Sequence, residues 1–182
     1  MLKRPKPTST EAKSSSLVNV QSEKLAMDWV GTMFEPPPGP DAGQFKAFVV
    51  NSIAHERASF SKYEGLLRFK NATVLFVNVG GDCYENLFHD TADGGQTMDW
   101  FGNDRQTKDS PAVQQLVTPG WDVFLFLRFP GGPYLCCGLL ELVNWSGGEG
   151  KQRLRVQWKF VAIDKLRNVP AFRTLTQGGG EH

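Results

Sequence analysis

The sequence has almost no net charge, few thiols or imidazoles, and no long apolar run. Twenty Lys and Arg stand against nineteen Asp and Glu, a formal net charge of +1. No whole-molecule field therefore draws the chain to nucleic acid or to an anionic surface, and any electrostatic attraction has to be local. The three cysteines are Cys83, Cys136 and Cys137, an odd number with an adjacent pair, which makes a poor disulfide framework. Neighbouring residues on a strand point to opposite faces, so Cys136 and Cys137 are not expected to share a zinc ion. Small buried thiols in a reducing, intracellular compartment are the expectation. No stretch approaches the ~20 apolar residues that span a bilayer, so no membrane partner is expected.

The start of the chain, residues 1–24, is basic and Ser-rich but has no apolar segment of the secretory type. It has some similarity to a mitochondrial presequence, against which Glu11 and Glu23 count. A disordered tail is the plainer reading. Nucleus, cytoplasm and mitochondrion stay open.

Catalytic signatures are also scarce. His55, His89 and His182 are the only histidines. There is no Gly-x-Ser-x-Gly elbow and no phosphate-binding loop of the Walker type. Gly80-Gly81-Asp82 follows an apolar run, but a plain turn explains it. Asp82, Cys83, His89 and Asp93 fall in what reads as one loop, without a recognised ligand spacing. The expectation is a non-enzymatic chain with no metal and no cofactor. An enzyme with an unfamiliar site around those four residues is a third-ranked alternative.

What is present suits a sheet. Aromatics are frequent, with 13 Phe and 5 Trp, and 40% of residues are hydrophobic, enough for a packed core. Four runs read as strands: 72–79, 122–129, 134–143 and 153–161. The last three are joined by short Gly-rich turns, the mark of an antiparallel meander. Residues 44–51 read as a fifth strand, and residues 52–69 leave helix and strand open. Ser110 and Pro111 suit the start of a helix whose apolar face is Val113, Leu116 and Val117. The expected fold is a mainly β (α+β) single domain, a compact bent antiparallel sheet or a barrel-like one, with one or two short helices. Its expected limits are 43–176. Residues 1–42 form a tail with a Pro-rich linker, and residues 177–182 are a frayed end. Within the tail, the apolar stretch from Met27 to Phe34 reads as an edge strand or an anchor lying on the domain.

The most informative strand is the last. Leu154, Val156, Trp158 and Phe160 alternate with Lys151, Arg153, Arg155 and Lys159 and with Gln157, so one face is apolar and the other basic. A basic row can track phosphates. A solvated face, or an edge protected by Lys and Arg, gives the same pattern. A second group is the polar segment from Met98 to Arg105, where Trp100 could stack on a base while Asn103 and Arg105 read its edge. A core role for Trp100 is the competing reading.

The span from Cys83 to about Lys165 resembles a β-rich C-terminal domain of bacterial superfamily-2 helicases, many of which also carry a phospholipase-D-type nuclease domain and look like restriction systems. Three blocks carry the likeness: Trp100, Asn103, Gln106, Thr107, Ser110 and Gln115; then the strand ending in Arg128 with Pro133, Tyr134 and Gly138; then Val156, Trp158 and Lys159. This sequence lacks the helicase and nuclease domains, and its turn after Arg128 is short, so neither activity carries over. The resemblance implies an accessory domain of DNA-processing proteins, one that reads DNA or a modified base, and it supplies no catalytic residue.

The expected function is thus non-catalytic nucleic-acid binding, with DNA favoured over RNA. Lys151, Arg153, Arg155 and Lys159 are expected on phosphates, Trp100, Asn103 and Arg105 near a base, and Arg128 on the same rim or in a structural ion pair. The main rival is a protein-interaction subunit that docks through Trp29, Met33 and Phe34.

Overall fold

The structure, a computed structural model, describes residues 18–36, 45–58, 60, 64–80 and 86–177. Residues 1–17 of the expected basic tail, most of the Pro-rich linker, Asp82 and Cys83, and the last five residues lie outside these.

Eight strands form one mixed, open sheet in the order β2-β3-β6-β7-β8-β5-β4, with β1 added beside β7. They are β1 (Met33–Phe34), β2 (Leu66–Arg68), β3 (Thr73–Asn78), β4 (Leu87–Asp90), β5 (Gln96–Phe101), β6 (Val123–Arg128), β7 (Tyr134–Ser146) and β8 (Arg155–Phe160). Among the described residues four α-helices accompany them: α1 (Phe45–Ile53), α2 (Pro111–Leu116), α3 (Ile163–Leu166) and α4 (Pro170–Gln177). The fold is mainly β within the α+β class. The sheet ends in β2 on one side and β4 on the other, so it does not close into a barrel.

The meander β6-β7-β8 forms as its Gly-rich turns predict, with every pair antiparallel. One pair differs. β3 and β6 run parallel, with Asn78 beside Arg128. Between them the chain crosses to the far side, builds the β4–β5 hairpin against β8, and returns through α2.

β3 and β6 are buried on both faces, which is why their sequences are continuous apolar runs rather than alternating ones. Leu75, Val77, Leu125 and Leu127 face the cluster that holds Val113 of α2, Leu166 of α3 and Phe172 of α4. Val74, Phe76, Phe124 and Phe126 face α1. Cys136 belongs to the second cluster and Cys137 to the first, so the adjacent thiols do point to opposite faces. Burial pushes the Cys136 thiol up to about 12 and holds Cys137 well above its ordinary range, so neither forms a thiolate readily.

Three expectations change. Residues 45–53 are a helix, not a strand. Phe45, Val49, Val50 and Ile53 lie on one helical face and are fully buried. Burying each contributes about 1.5–3 kcal/mol, which outweighs the few tenths that β-branched residues cost a helix. The folded unit also starts before residue 43. Val20, Leu25 and Val30 are core residues, and a π-helical turn over Lys24–Asp28 packs Leu25 under the sheet. Trp29 and Phe34 meet edge to face at 5.9 Å, and Phe34 meets Phe126 at 5.4 Å. Trp29, Met33 and Phe34 are therefore an anchor on their own domain, half-buried and already partnered, rather than a free docking arm. Finally, residues 96–101 and 87–90 are strands where a loop was expected.

β7 is the spine of the sheet. Its 13 residues take β6 on one side, and first β1 and then β8 on the other. Two register shifts, at Cys137 and at Val143, bend it. At the first, Gly138 has φ +76°, and a Cβ there would come 2.7 Å from Val30 Cγ2. A glycine is required by both the backbone and the close approach of the N-terminal anchor.

Candidate nucleic-acid interface

The last strand alternates as its sequence predicts. Val156, Trp158 and Phe160 are buried, while Arg155 is exposed and Lys159 half-buried on the other face. Lys151 and Arg153 precede the strand, in the turn from β7. The basic row is not free charge. Arg155 Nη2 lies 2.7 Å from Asp99 Oδ2, Lys159 Nζ 3.3 Å from Asp93 Oδ2, and Arg153 Nη2 3.8 Å from Asp104 Oδ1. Among the described residues Lys151 has no ion pair and is exposed.

Asp99 is the unexpected member. It sits on β5 opposite Gln157 and is 1% exposed. Its Oδ2 accepts from Arg155 and contacts His89 Nε2 at 3.3 Å, while its Oδ1 has no hydrogen-bond partner. A buried carboxylate requires such partners. Arg155 is therefore held as a structural cation first. We expect Arg155→Met to destabilise the fold by about 2 kcal/mol, below the 3–5 kcal/mol of a fully buried pair because Arg155 is half exposed. Asp99→Asn, which removes the charge along with its need, should cost clearly less. Urea unfolding of the two variants gives the comparison, and an equal or reversed order would refute it.

Asp93 lies in the hairpin turn before β5. A hydrogen bond from Thr91, the Gly95 N–H and Lys159 hold its carboxyl down to about 2. It stays ionised and matches Lys159 at all ordinary pH.

Trp100 is 6% exposed and packs in the core with Met98 and Trp158. It is not a stacking platform. Its alternation with Asp99 and Phe101 was readable as a strand, but the polar residues after it suggested a loop. Arg128 is placed elsewhere again. It ends β6, level with the start of β7, while the basic turn follows the far end of β7, up to roughly 40 Å away at ~3.3 Å per residue. Its Nε donates to Asn78 Oδ1 at 2.7 Å, and its guanidinium stacks on Tyr134 at 4.3 Å.

Three of the expected residues do come together. The loop from β5 to α2 packs against the turn from β7 to β8, and an open groove between them is lined by Asn103, Gln106, Lys151, Gln152 and Arg153, with Asp104 as its one carboxylate. The two segments are joined by the Lys108 N–H donating to Gly148 O at 2.9 Å and by a Lys108–Glu149 ion pair at 3.0 Å. Asn103 Oδ1 accepts the Arg105 N–H, and Gln106 Oε1 accepts the Asn103 N–H. With both amide oxygens engaged, each side chain has its NH2 group left to offer, and the groove is rich in donors. Ser110 begins α2 as expected, yet its Oγ turns back to accept the Thr107 N–H and donate to Arg105 O, bracing the loop instead of capping the helix. Arg105 is exposed on that loop.

Among the described residues no three His, Cys, Asp or Glu gather as a metal site, and no helix is long and apolar enough to cross a membrane. Comparison with protein-family models, curated proteins and solved structures gave no match to this chain.

Proposed function

We propose that the protein binds nucleic acid without catalysis, through the groove between the β5–α2 loop and the β7–β8 turn. The observation that carries this reading is the convergence of Asn103, Lys151 and Arg153, about fifty residues apart in sequence, on one donor-rich groove. Phosphate oxygens accept hydrogen bonds and carry charge, so they suit a groove of ammonium, guanidinium and amide NH2 groups. The Arg153–Asp104 pair is exposed on both sides and exchangeable, since such pairs contribute about 0–1 kcal/mol. Lys151, Arg153 and Arg105 then make the phosphate contacts, with Asn103 nearest a base. Arg155 and Lys159 are matched by aspartates and contribute less. DNA is the favoured partner, on the strength of the resemblance drawn from the sequence.

Fluorescence anisotropy with single- and double-stranded DNA and RNA at two salt concentrations tests it. Binding should weaken with salt. The double variant Lys151→Ala, Arg153→Ala should weaken it for all sequences alike and lower the salt slope by about 1.5–2. Salt-insensitive binding, or an unchanged double variant, would refute the assignment.

A second reading, a protein-docking subunit, draws on the same neutralised row. Beside it Val143 is 48% and Trp145 40% exposed. Salt-insensitive binding to a protein partner, with no affinity for nucleic acid, would favour it.

A further inference from the structure

At the other end of β7 lies a second, unrelated cluster of cations. β3 and β6 are the parallel pair, and they end together at Asn78 and Arg128. In mixed and parallel sheets the carboxyl ends of such strands are where ligands find room and polar groups. Two cations meet there over one aromatic floor. Lys46 Nζ lies 5.1 Å from the Phe76 ring centre, and the Arg128 guanidinium 4.3 Å from that of Tyr134. The two rings are in edge contact at 5.2 Å, and the Arg128 guanidinium also lies 5.9 Å from the ring of Phe45, the residue before Lys46 in α1.

Among the described residues neither Lys46 nor Arg128 makes an ion pair. Lys46 donates to the Glu64 carbonyl and Arg128 Nε to Asn78. Among the described residues no further hydrogen bond engages the two terminal nitrogens of Arg128 or the rest of the ammonium. Burial, and then the charge of Arg128, push the Lys46 ammonium down to about 8, against a weaker opposite pull from Glu64. Like charges held close in a half-buried place repel, and a bound anion would relieve that.

We propose that Lys46 and Arg128, held over the Phe76 and Tyr134 rings, bind the dianionic phosphate of a phosphomonoester. A dianion matches two cations, and a guanidinium fork beside a point ammonium suits phosphate oxygens. A monoanionic carboxylate would leave one charge unmatched. The phosphate belongs either to a small free metabolite or to the terminal phosphate of a nucleic-acid strand. The site lies at the opposite end of β7 from the groove and stands whether or not the groove binds nucleic acid.

Calorimetry with glycerol phosphate, with acetate as control, and with an oligonucleotide carrying or lacking a terminal phosphate tests it. Saturable binding of glycerol phosphate, with acetate much weaker, is expected. A preference for the phosphorylated over the unphosphorylated oligonucleotide, beyond that for glycerol phosphate, would assign the phosphate to a strand end. Lys46→Met should weaken binding on the order of tenfold or more. Its melting temperature in phosphate-free buffer should be no lower than that of the parent, which separates lost binding from lost folding. No saturable binding of either phosphate, acetate binding as tightly, or undiminished binding by Lys46→Met would overturn the proposal.

Discussion

Gly147→Ala is expected to lower the stability of the fold by about 2–3 kcal/mol and to abolish the groove. Gly147 ends β7 with φ +76°, a conformation that costs an L-residue about 1–2 kcal/mol. A Cβ there would also overlap the Arg153 carbonyl oxygen, which is backbone and cannot swing away. The turn would have to open, and with it the spacing between Lys151, Arg153 and the β5–α2 loop. Chemical unfolding measures the first effect and nucleic-acid anisotropy the second. Gly120→Ala is the control, because Gly120 shares the positive φ but a Cβ there meets nothing within 4 Å. If the two variants lose equal stability, the overlap with Arg153 plays no part. If Gly147→Ala binds normally, the groove is not set by this turn.

The second large effect has the opposite sign. Lys46→Met should stabilise the protein at neutral pH by about 2 kcal/mol, after allowance for partial exposure. The ammonium ordinarily titrates at 10.5 and in the fold at about 8. Below pH 8 both folded and unfolded chains carry the proton, and the folded state bears the whole cost of a buried cation beside Arg128. Between 8 and 10.5 the unfolded chain holds the proton and the folded one does not, so stability rises with pH. Above 10.5 the cost is gone. The parent should therefore gain stability across pH 8 to 10.5 relative to the variant, until the gap closes. A gap that stays constant over that window would mean that Lys46 is not a strained cation.

Much of the fold was legible in the sequence because local pattern and burial agree there. Leu154, Val156, Trp158 and Phe160 alternate with polar residues and are buried. The runs around Leu75 and Leu125 are continuous because helices cover both faces. The misreadings have physical causes. Phe45, Phe48, Val49 and Val50 favour strands by type, yet a sheet face open to cover draws them into a helix. Trp100 was set in a loop because Asp99 before it is charged and Gly102, Asn103, Asp104 and Arg105 follow. The Asp99 charge is buried and answered by Arg155, and the partner lies 56 residues away. The same remoteness hid the site. Asp93, Asp99 and Asp104, which pair with the basic row, come from the β4–β5 hairpin and the loop that follows it, and no spacing in the sequence announces the match. Arg128 and Lys151 looked like one rim in sequence, but β7 holds them at its two ends.

Among the described residues the main strand path of the open sheet ends in two margins, and their dimensions bear on how copies of this chain meet in crowded solution. β2 is three residues long and carries Arg68, and β4 is four residues long and carries His89 and Asp90. A margin this short and polar offers few unpaired backbone groups in a row, so a foreign strand gains little by lining up against it. The chain is thereby protected against sheet-to-sheet polymerisation despite its large content of Phe and Val. Short, polar margins favour assembly through a face or a loop cluster over extension of the ladder.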